Sequence, residues 1–291
     1  MAESLARFLR PGLPAPPTPA LAPRVPPEVR TRVAAPGAEG PLGRLLSLLA
    51  PHLEPLFPVD LSRYGVGPAD RLSPGSSPGL QAMAEAASRA LSARPMALFQ
   101  ARKPGVFVAV ENTQPPSLVV GADVPALPPG ALAFLLTRSI ALAGSGWALL
   151  GKFSPRDVLV LGELASRFAG GEPPRLGLPT QRAGAFLAAL ERSVPASVRS
   201  WIGPLGAPSA QELRNLDPES FTAALGRSAS RVALLHTGDP YGALVALWGP
   251  LQLGVQRQDP VAALERPDLA DLSRFALSDL YLELRGMLLG W

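Results

Sequence analysis

The sequence contains no cysteine. That excludes a disulfide framework, a thiol nucleophile, an iron–sulfur cluster and every thiolate zinc site. Histidine is nearly as scarce, with His52 and His236 alone, so no three-histidine metal site is possible within one chain. Lysine occurs only at Lys103 and Lys152, which leaves 25 arginines among the 27 basic residues. Charged residues make up 17% of the chain, against about 25% in a typical soluble protein. The net charge of +4 is spread along the chain among 23 acids with no dense basic run, so the electrostatic footprint of a nucleic-acid binder is missing. An excess of Arg, Ala, Gly and Pro over Lys is the composition of GC-rich codons and needs no basic partner to explain it.

Other signatures are missing too. No G-x-S-x-G elbow occurs, and neither Gly144-x-Gly146 nor Gly170-Gly171 is followed by a phosphate-loop Lys-Ser/Thr. The opening MAESLARFLRPGLPAPP does not read as a secretory leader, because Arg7 and Arg10 interrupt its apolar stretch and Pro11 ends it. Residues 130–151 are long enough to span a bilayer but carry Arg138 near the middle and break at Gly144-Ser145-Gly146. A buried helix, a turn and a second apolar segment is the expected arrangement, with cytoplasmic residence.

Proline, by contrast, is abundant. Ten of the 35 prolines fall between Pro11 and Pro41, a stretch expected to hold neither helix nor central strand. Residues 1–41 therefore read as a proline-rich N-terminal arm, with Leu5, Phe8 and Leu9 on one side of a short docking helix. Residues 42–291 read as one helical α+β domain. Helices are expected from Leu42, stopped by Pro51 and Pro55, and over 79–93. The pattern then shortens to MALFQAR (96–102), GVFVAVEN (105–112) and SLVVGAD (117–123), a small antiparallel β-meander. Beyond it, helices are expected at 129–143, 146–151, 155–169, 180–192, 195–202, 209–214, 218–235, 239–248, 259–265 and 268–289. Ser154, Ser209, Asp217, Asp239 and Asp259 read as helix caps.

Several phrases occur in a telling order. Val119-Val120-Gly121 closes a strand, Leu132-Ala133-Phe134-Leu135-Leu136 opens a helix, and Ala229-Ser230-Arg231 precedes Gly238-Asp239-Pro240-Tyr241-Gly242-Ala243-Leu244. Over about 85–250 this order resembles the H-E-x-x-H zinc metallopeptidases of the heat-shock membrane peptidase and CAAX protease type. The resemblance implies a zincin-like fold whose metal chemistry has gone. The two metal histidines become Arg138 and Leu142, and the general-base glutamate becomes Ser139. The third ligand falls at Gly226 and the supporting aspartate at Ser230. A shift of one residue gives Thr137, Arg138 and Ala141, which is no better. Leu142 and Gly226 have no side-chain donor for zinc, and Arg138 brings a fixed positive charge to the cation's place. A second likeness rests on LADLSRFALSDLYLELRGML (269–288) and TGDPYGALVAL (237–247). These look like a C-terminal domain of myxobacterial tetratricopeptide-repeat proteins, which implies a non-enzymatic module and a tetratricopeptide-repeat protein among its partners.

The remaining residues with chemistry are isolated. His236 stands beside Asp239, the pair a metal-independent hydrolase would use, but reads first as a helix-end histidine. His52, Glu111 and Glu163 have no partner at a defined spacing, and Trp147, Trp201, Trp248 and Trp291 read as core or cleft residues. Arg138 must find a partner, with Glu163, Asp239 or a chain terminus as the candidates. The sequence thus leads to a non-catalytic protein-interaction or scaffold module without cofactor, whose candidate interaction residues are Leu5, Phe8, Leu9, Arg138, His236 and Asp239. A hydrolase around His236 and Asp239, or a peripheral membrane module, is the alternative.

Overall fold

The computed structural model describes residues 2–9, 19–57, 59–174, 180–252, 262 and 264–290. Its helices, in chain order, are α1 (Ala2–Leu9), α2 (Pro27–Arg32), α3 (Pro41–Leu53), α4 (Pro78–Ala90), α5 (Pro129–Gly144), α6 (Pro155–Phe168) and α7 (Thr180–Ser193). They continue with α8 (Ala196–Ile202), α9 (Gly206–Leu213), α10 (Pro218–Thr237), α11 (Pro240–Gln252), α12 (Pro267–Ala276) and α13 (Asp279–Leu289). The strands are β1 (Ala97–Gln100), β2 (Val108–Glu111) and β3 (Ser117–Val120). The described residues are thus mostly helical with one small sheet, an α+β arrangement. Among the described residues, no helix is long and apolar enough to cross a membrane.

The chain divides into two compact units. The first unit comprises 1–33, 59–144 and 227–291, and the second 34–58 and 145–226. Residues 19–33, expected to be part of the proline-rich arm, belong to the first unit. Val25, Val29 and Val33 sit in its core at 1%, 1% and 0% exposure. The prolines do not forbid α2, because Pro27 occupies its first turn, where the missing N–H would have had no helical partner.

The sheet is mixed, which corrects the antiparallel meander. The strand order is β1-β3-β2, with β3 parallel to β1 and antiparallel to β2. The reason lies in burial. Ser117, Leu118, Val119 and Val120 are all buried, so the strand with no polar face takes the centre. Ala97 pairs with Ser117 and Val108 with Val120. Leu72 N–H donates to Leu98 O at 2.9 Å, covering part of the outer edge of β1.

Helix α5 is the centre of the first unit. Eleven of its sixteen residues are buried, so it presents no polar face apart from Arg138. It crosses α11 closely, because Gly130 and Gly242 have no Cβ. A Cβ on Gly242 would lie 2.6 Å from the Gly130 carbonyl carbon. Phe134, Leu136 and Ile140 are fully buried with Leu118 of β3 and Leu235 of α10.

The second unit packs α3, α6, α7, α8 and α9 around Leu42, Leu45, Leu46, Leu49, Leu161 and Ile202. Glu212 of α9 accepts from Leu42 N–H at 2.9 Å, a remote carboxylate at an α3 N-terminus that has no capping side chain of its own. Pro51 does not stop α3, which runs on to Leu53 before a single 3-10 turn at Glu54–Leu56. The expected helix over 268–289 breaks into α12 and α13, because Ser278 caps α13 by accepting from Tyr281 N–H at 3.2 Å. The stretch expected as helix 146–151 holds one 3-10 turn, Leu150–Lys152. Ser209 lies inside α9, not at its cap. The expected helix 259–265 and the Asp259 cap fall mostly outside the described residues.

Candidate functional site

The residues singled out in the sequence gather on α5, β2 and α10. Arg138 projects from α5, and its Nε donates to Ser230 Oγ of α10 at 3.0 Å. Ser139, the next residue, donates from Oγ to the Val108 carbonyl of β2 at 2.9 Å. Leu142 lies one turn further along α5 and packs against the core of the first unit. Gly226 lies one turn before Ser230 on α10. Four of the five positions, Arg138, Ser139, Leu142 and Ser230, thus belong to the first unit, and Gly226 is counted with the second.

The electrostatics of Arg138 differ from the expectation. Neither Glu163 nor Asp239 is its partner. Glu163 pairs with Arg167 one turn along α6 at 2.7 Å, and Asp239 caps α11 by accepting from Gly242 N–H at 2.9 Å. Burial pulls the Arg138 guanidinium below its ordinary value, and the charge of Asp268 at the start of α12 pushes back. Asp268 does not reach ion-pair distance, so Arg138 sits in an apolar helix with a hydroxyl partner and only distant neutralisation.

His236 and Asp239 have separate duties. The ring nitrogen Nδ1 of His236 meets Ala22 O at 2.8 Å, and because a carbonyl only accepts, Nδ1 carries the proton. Ala22 N–H returns a bond to His236 O at 2.7 Å. Burial lowers the His236 pKa, the Ala22 bond opposes that shift, and the Arg285 charge adds to it. The ring is therefore neutral at pH 7. Burial raises the Asp239 pKa, against the hydrogen bonds from Gly242 and Tyr241 N–H. Asp239 does not orient the His236 ring, and among the described residues no hydroxyl donates to the other ring nitrogen, so no nucleophile–base–acid triad is assembled. Among the described residues, no group of three or more His, Asp or Glu is placed to hold a metal ion.

Sequence reasoning missed Arg285. It is buried at 6% exposure and comes from α13 to the C-terminal end of α10. Its Nη1 donates to Leu235 O at 2.6 Å and His236 O at 3.1 Å, and its Nη2 donates to Ala20 O. A guanidinium here satisfies carbonyls that end a helix and complements the negative end of its dipole. Gly238 makes room, since a Cβ there would lie 2.3 Å from Arg285 Nη2. Nothing in the local run around Arg285 marks it, because its partners lie 265 and about 50 residues away in the chain.

Glu111 was also read as isolated. It is buried at 1% exposure and accepts from Tyr64 Oη at 2.9 Å and from Arg63 Nη2 at 3.1 Å. Arg63 stacks over the Tyr64 ring at 4.6 Å, so the trio ties the 3-10 turn Leu61–Tyr64 to the end of β2. Burial raises the Tyr64 pKa, Arg63 opposes the shift and Glu111 reinforces it. A carboxylate already holding two donors is a structural tie.

The docking residues are placed as follows. Phe8 of α1 is buried at 3% exposure with Leu244 and Leu269, and its ring meets Trp248 edge-on at 5.2 Å. Leu9 packs on the same cluster, and the Leu5 side chain lies outside the described residues. Trp147 and Trp248 are partly buried, as expected of core residues. Trp201 is not, at 64% exposure, and Trp291 lies outside the described residues. A cleft of about 560 Å³ lies between the 68–74 segment, α4 and β1, lined by Arg71, Gln81, Glu85 and Met96. Gln81 is spent locally on Ser73 O at 2.7 Å and Gly75 N–H at 3.0 Å. No protein-family model, curated protein or solved structure matches this chain.

Proposed function

We propose that the chain is a non-catalytic protein-interaction module on a zincin-like frame whose metal-binding side chains have been replaced. The supporting observation is the bond from Arg138 Nε to Ser230 Oγ at 3.0 Å. In the H-E-x-x-H resemblance these positions belong to a metal ligand and to the acid that supports the site. Here the same two helices are joined there by a guanidinium and a hydroxyl, neither suited to a divalent cation. Ser139, at the general-base position, spends its hydroxyl on the β2 backbone. The reading carries with it cytoplasmic residence and a protein partner, with a tetratricopeptide-repeat protein as the first to try.

Elemental analysis of the purified chain tests this. The expected result is far less than one zinc per chain and no zinc-dependent cleavage of a mixed peptide library. One tightly held zinc per chain, lost on Ser230→Ala or Arg138→Leu, would overturn the reading.

A further inference from the structure

We infer that the cleft beside β1 takes an extended peptide segment, which adds to the edge of the sheet with apolar residues on one face and an acidic residue on the other. Ala97 N–H donates to Pro116 O at 2.7 Å and Ala101 N–H to Val120 O at 2.8 Å, so residues 97, 99 and 101 turn their backbone groups toward β3. Met96, Leu98 and Gln100 turn theirs the other way. On that side the 68–72 segment runs antiparallel to β1, with Arg71 opposite Phe99 and Leu72 N–H on Leu98 O at 2.9 Å. The pairing then stops. Continuing the register would set Pro74 opposite Met96, and proline has no N–H to give. The chain instead turns away at Ser73, whose carbonyl accepts from Ser76 N–H at 3.1 Å, Ser76 Oγ at 2.8 Å and Gln81 Nε2 at 2.7 Å. The cleft of about 560 Å³ opens where the pairing ends, with Met96 and Leu98 in its lining. Ligand pockets span about 300–1,000 Å³, so a short peptide segment fits. This edge is the one remote from β2, the strand that meets Ser139.

The flanking side chains select the sequence of the segment. Residues opposite one another in a pair of strands share a face, which puts Arg71 on the face of Phe99. Leu72, Met96 and Leu98 belong to the other face, where they pack with Leu80 and Met83 of α4. A strand laid along this edge alternates in the same way, so every second residue meets the apolar face and the residues between them meet the face of Arg71. Arg71 is exposed and lines the cleft. Two acids of the same walls serve other arginines: Asp70 accepts from Arg102 Nε at 2.7 Å, and Glu85 pairs with Arg89 at 3.6 Å. An acidic side chain is the complement of Arg71, because a carboxylate matches the guanidinium fork. Main-chain pairing then supplies affinity, and the alternate side chains supply specificity.

The site rests on the interaction-module reading in one respect: its occupant belongs to a protein. Titration of the full chain into fluorescein-labelled Val-Asp-Val-Asp-Val amide, read by fluorescence anisotropy, tests it. Saturable binding is expected. Val-Lys-Val-Lys-Val amide is expected to bind at least tenfold more weakly, and Arg71→Glu, with an unchanged circular dichroism spectrum, to reverse the order of the two peptides. The acidic peptide with methylated backbone nitrogens keeps its side chains but cannot donate to the sheet edge, and is expected to bind at least tenfold more weakly. Equal binding of the methylated peptide, an order of the acidic and basic peptides that Arg71→Glu leaves unchanged, or no saturable binding up to roughly 2 mM would overturn the site. Dimers of the chain that the acidic peptide dissociates would assign the edge to a second copy and overturn a separate partner. Tightly held zinc with peptide binding intact overturns only the metal-free reading, and absent peptide binding in a zinc-free chain overturns only this site.

Discussion

At the scale of single residues, His236 does the work of a clamp, gripping Ala22 with ring and backbone together. His236→Ala removes a ring buried to 2% exposure and strands the Ala22 carbonyl, with an expected loss of about 2–3 kcal/mol. Urea midpoints measure that loss, and trypsin is expected to cut faster at Arg24; unchanged values for both would show that the clamp carries nothing. The clamp also sets a pH dependence. The folded ring has a lowered pKa, so the unfolded chain binds more protons as the pH falls. The stability that His236 contributes is complete above its unfolded value of about 6.5 and declines as the pH drops below it. Asp239 has the opposite sign. Its raised folded pKa means that the folded state takes up protons first, so its contribution improves as the pH falls toward the ordinary carboxylate range. Comparing wild type with His236→Gln at pH 7.5, 6.5 and 5.5 isolates the histidine, and the gap between the two proteins is expected to shrink as the pH falls. At the alkaline end, Tyr281 is pushed up to about 12 by burial, opposed by Arg285 and reinforced by Asp239. Its contribution is therefore lost between about 10 and 12 as the pH rises.

At the scale of elements, glycines separate close packing from open surface. A Cβ on Gly130 would fall 1.8 Å from Asp239 Oδ2, whereas one on Gly184, exposed in α7, would meet nothing within 4 Å. Gly130→Ala is expected to cost about 1–3 kcal/mol and Gly184→Ala to add about 0.5–1 kcal/mol, both read from denaturant midpoints. Matching shifts of the two variants would contradict the close α5–α11 crossing. The same contrast explains how much of the fold was legible. Helices α5, α6, α7, α8 and α10 are close to where the apolar period and the Pro and Asp caps put them, because those signals are local. The three strands were legible as strands for the same reason, but their order was not. Pairing depends on which strand is buried on both faces, and the unbroken run Ser117–Val120 was the signal to weigh. Counting prolines misled only at Pro27–Arg32, where position in the helical turn decides. At the site, Arg138 and Ser139 stood out as polar residues in an apolar run. Arg285 and the Arg63–Tyr64–Glu111 trio did not, since each is defined by partners remote in the chain.

At the scale of the whole molecule, the N-terminal segment is an integral part of the first unit. Removing residues 1–33 deletes Val25, Val29 and Val33 from its core and leaves the acceptors of Arg285 incomplete. The truncated chain is expected to bind a hydrophobic dye and to lose cooperative unfolding, and a sharp transition at the wild-type midpoint would show that the segment is dispensable. The bond from Arg285 to Ala20 also has a meaning in time. Synthesis proceeds from the N-terminus, and 265 residues separate these partners. The second unit has all of its sequence once residue 226 is made, while the first waits for residues 227–291. A nascent chain therefore carries an unfinished apolar strap, with Val25 and Val29 unburied, until the 227–291 part of the first unit has been made. The contact from Arg285 to Ala20 closes only when α13 has been made, so α13 is the latch on the N-terminal strap.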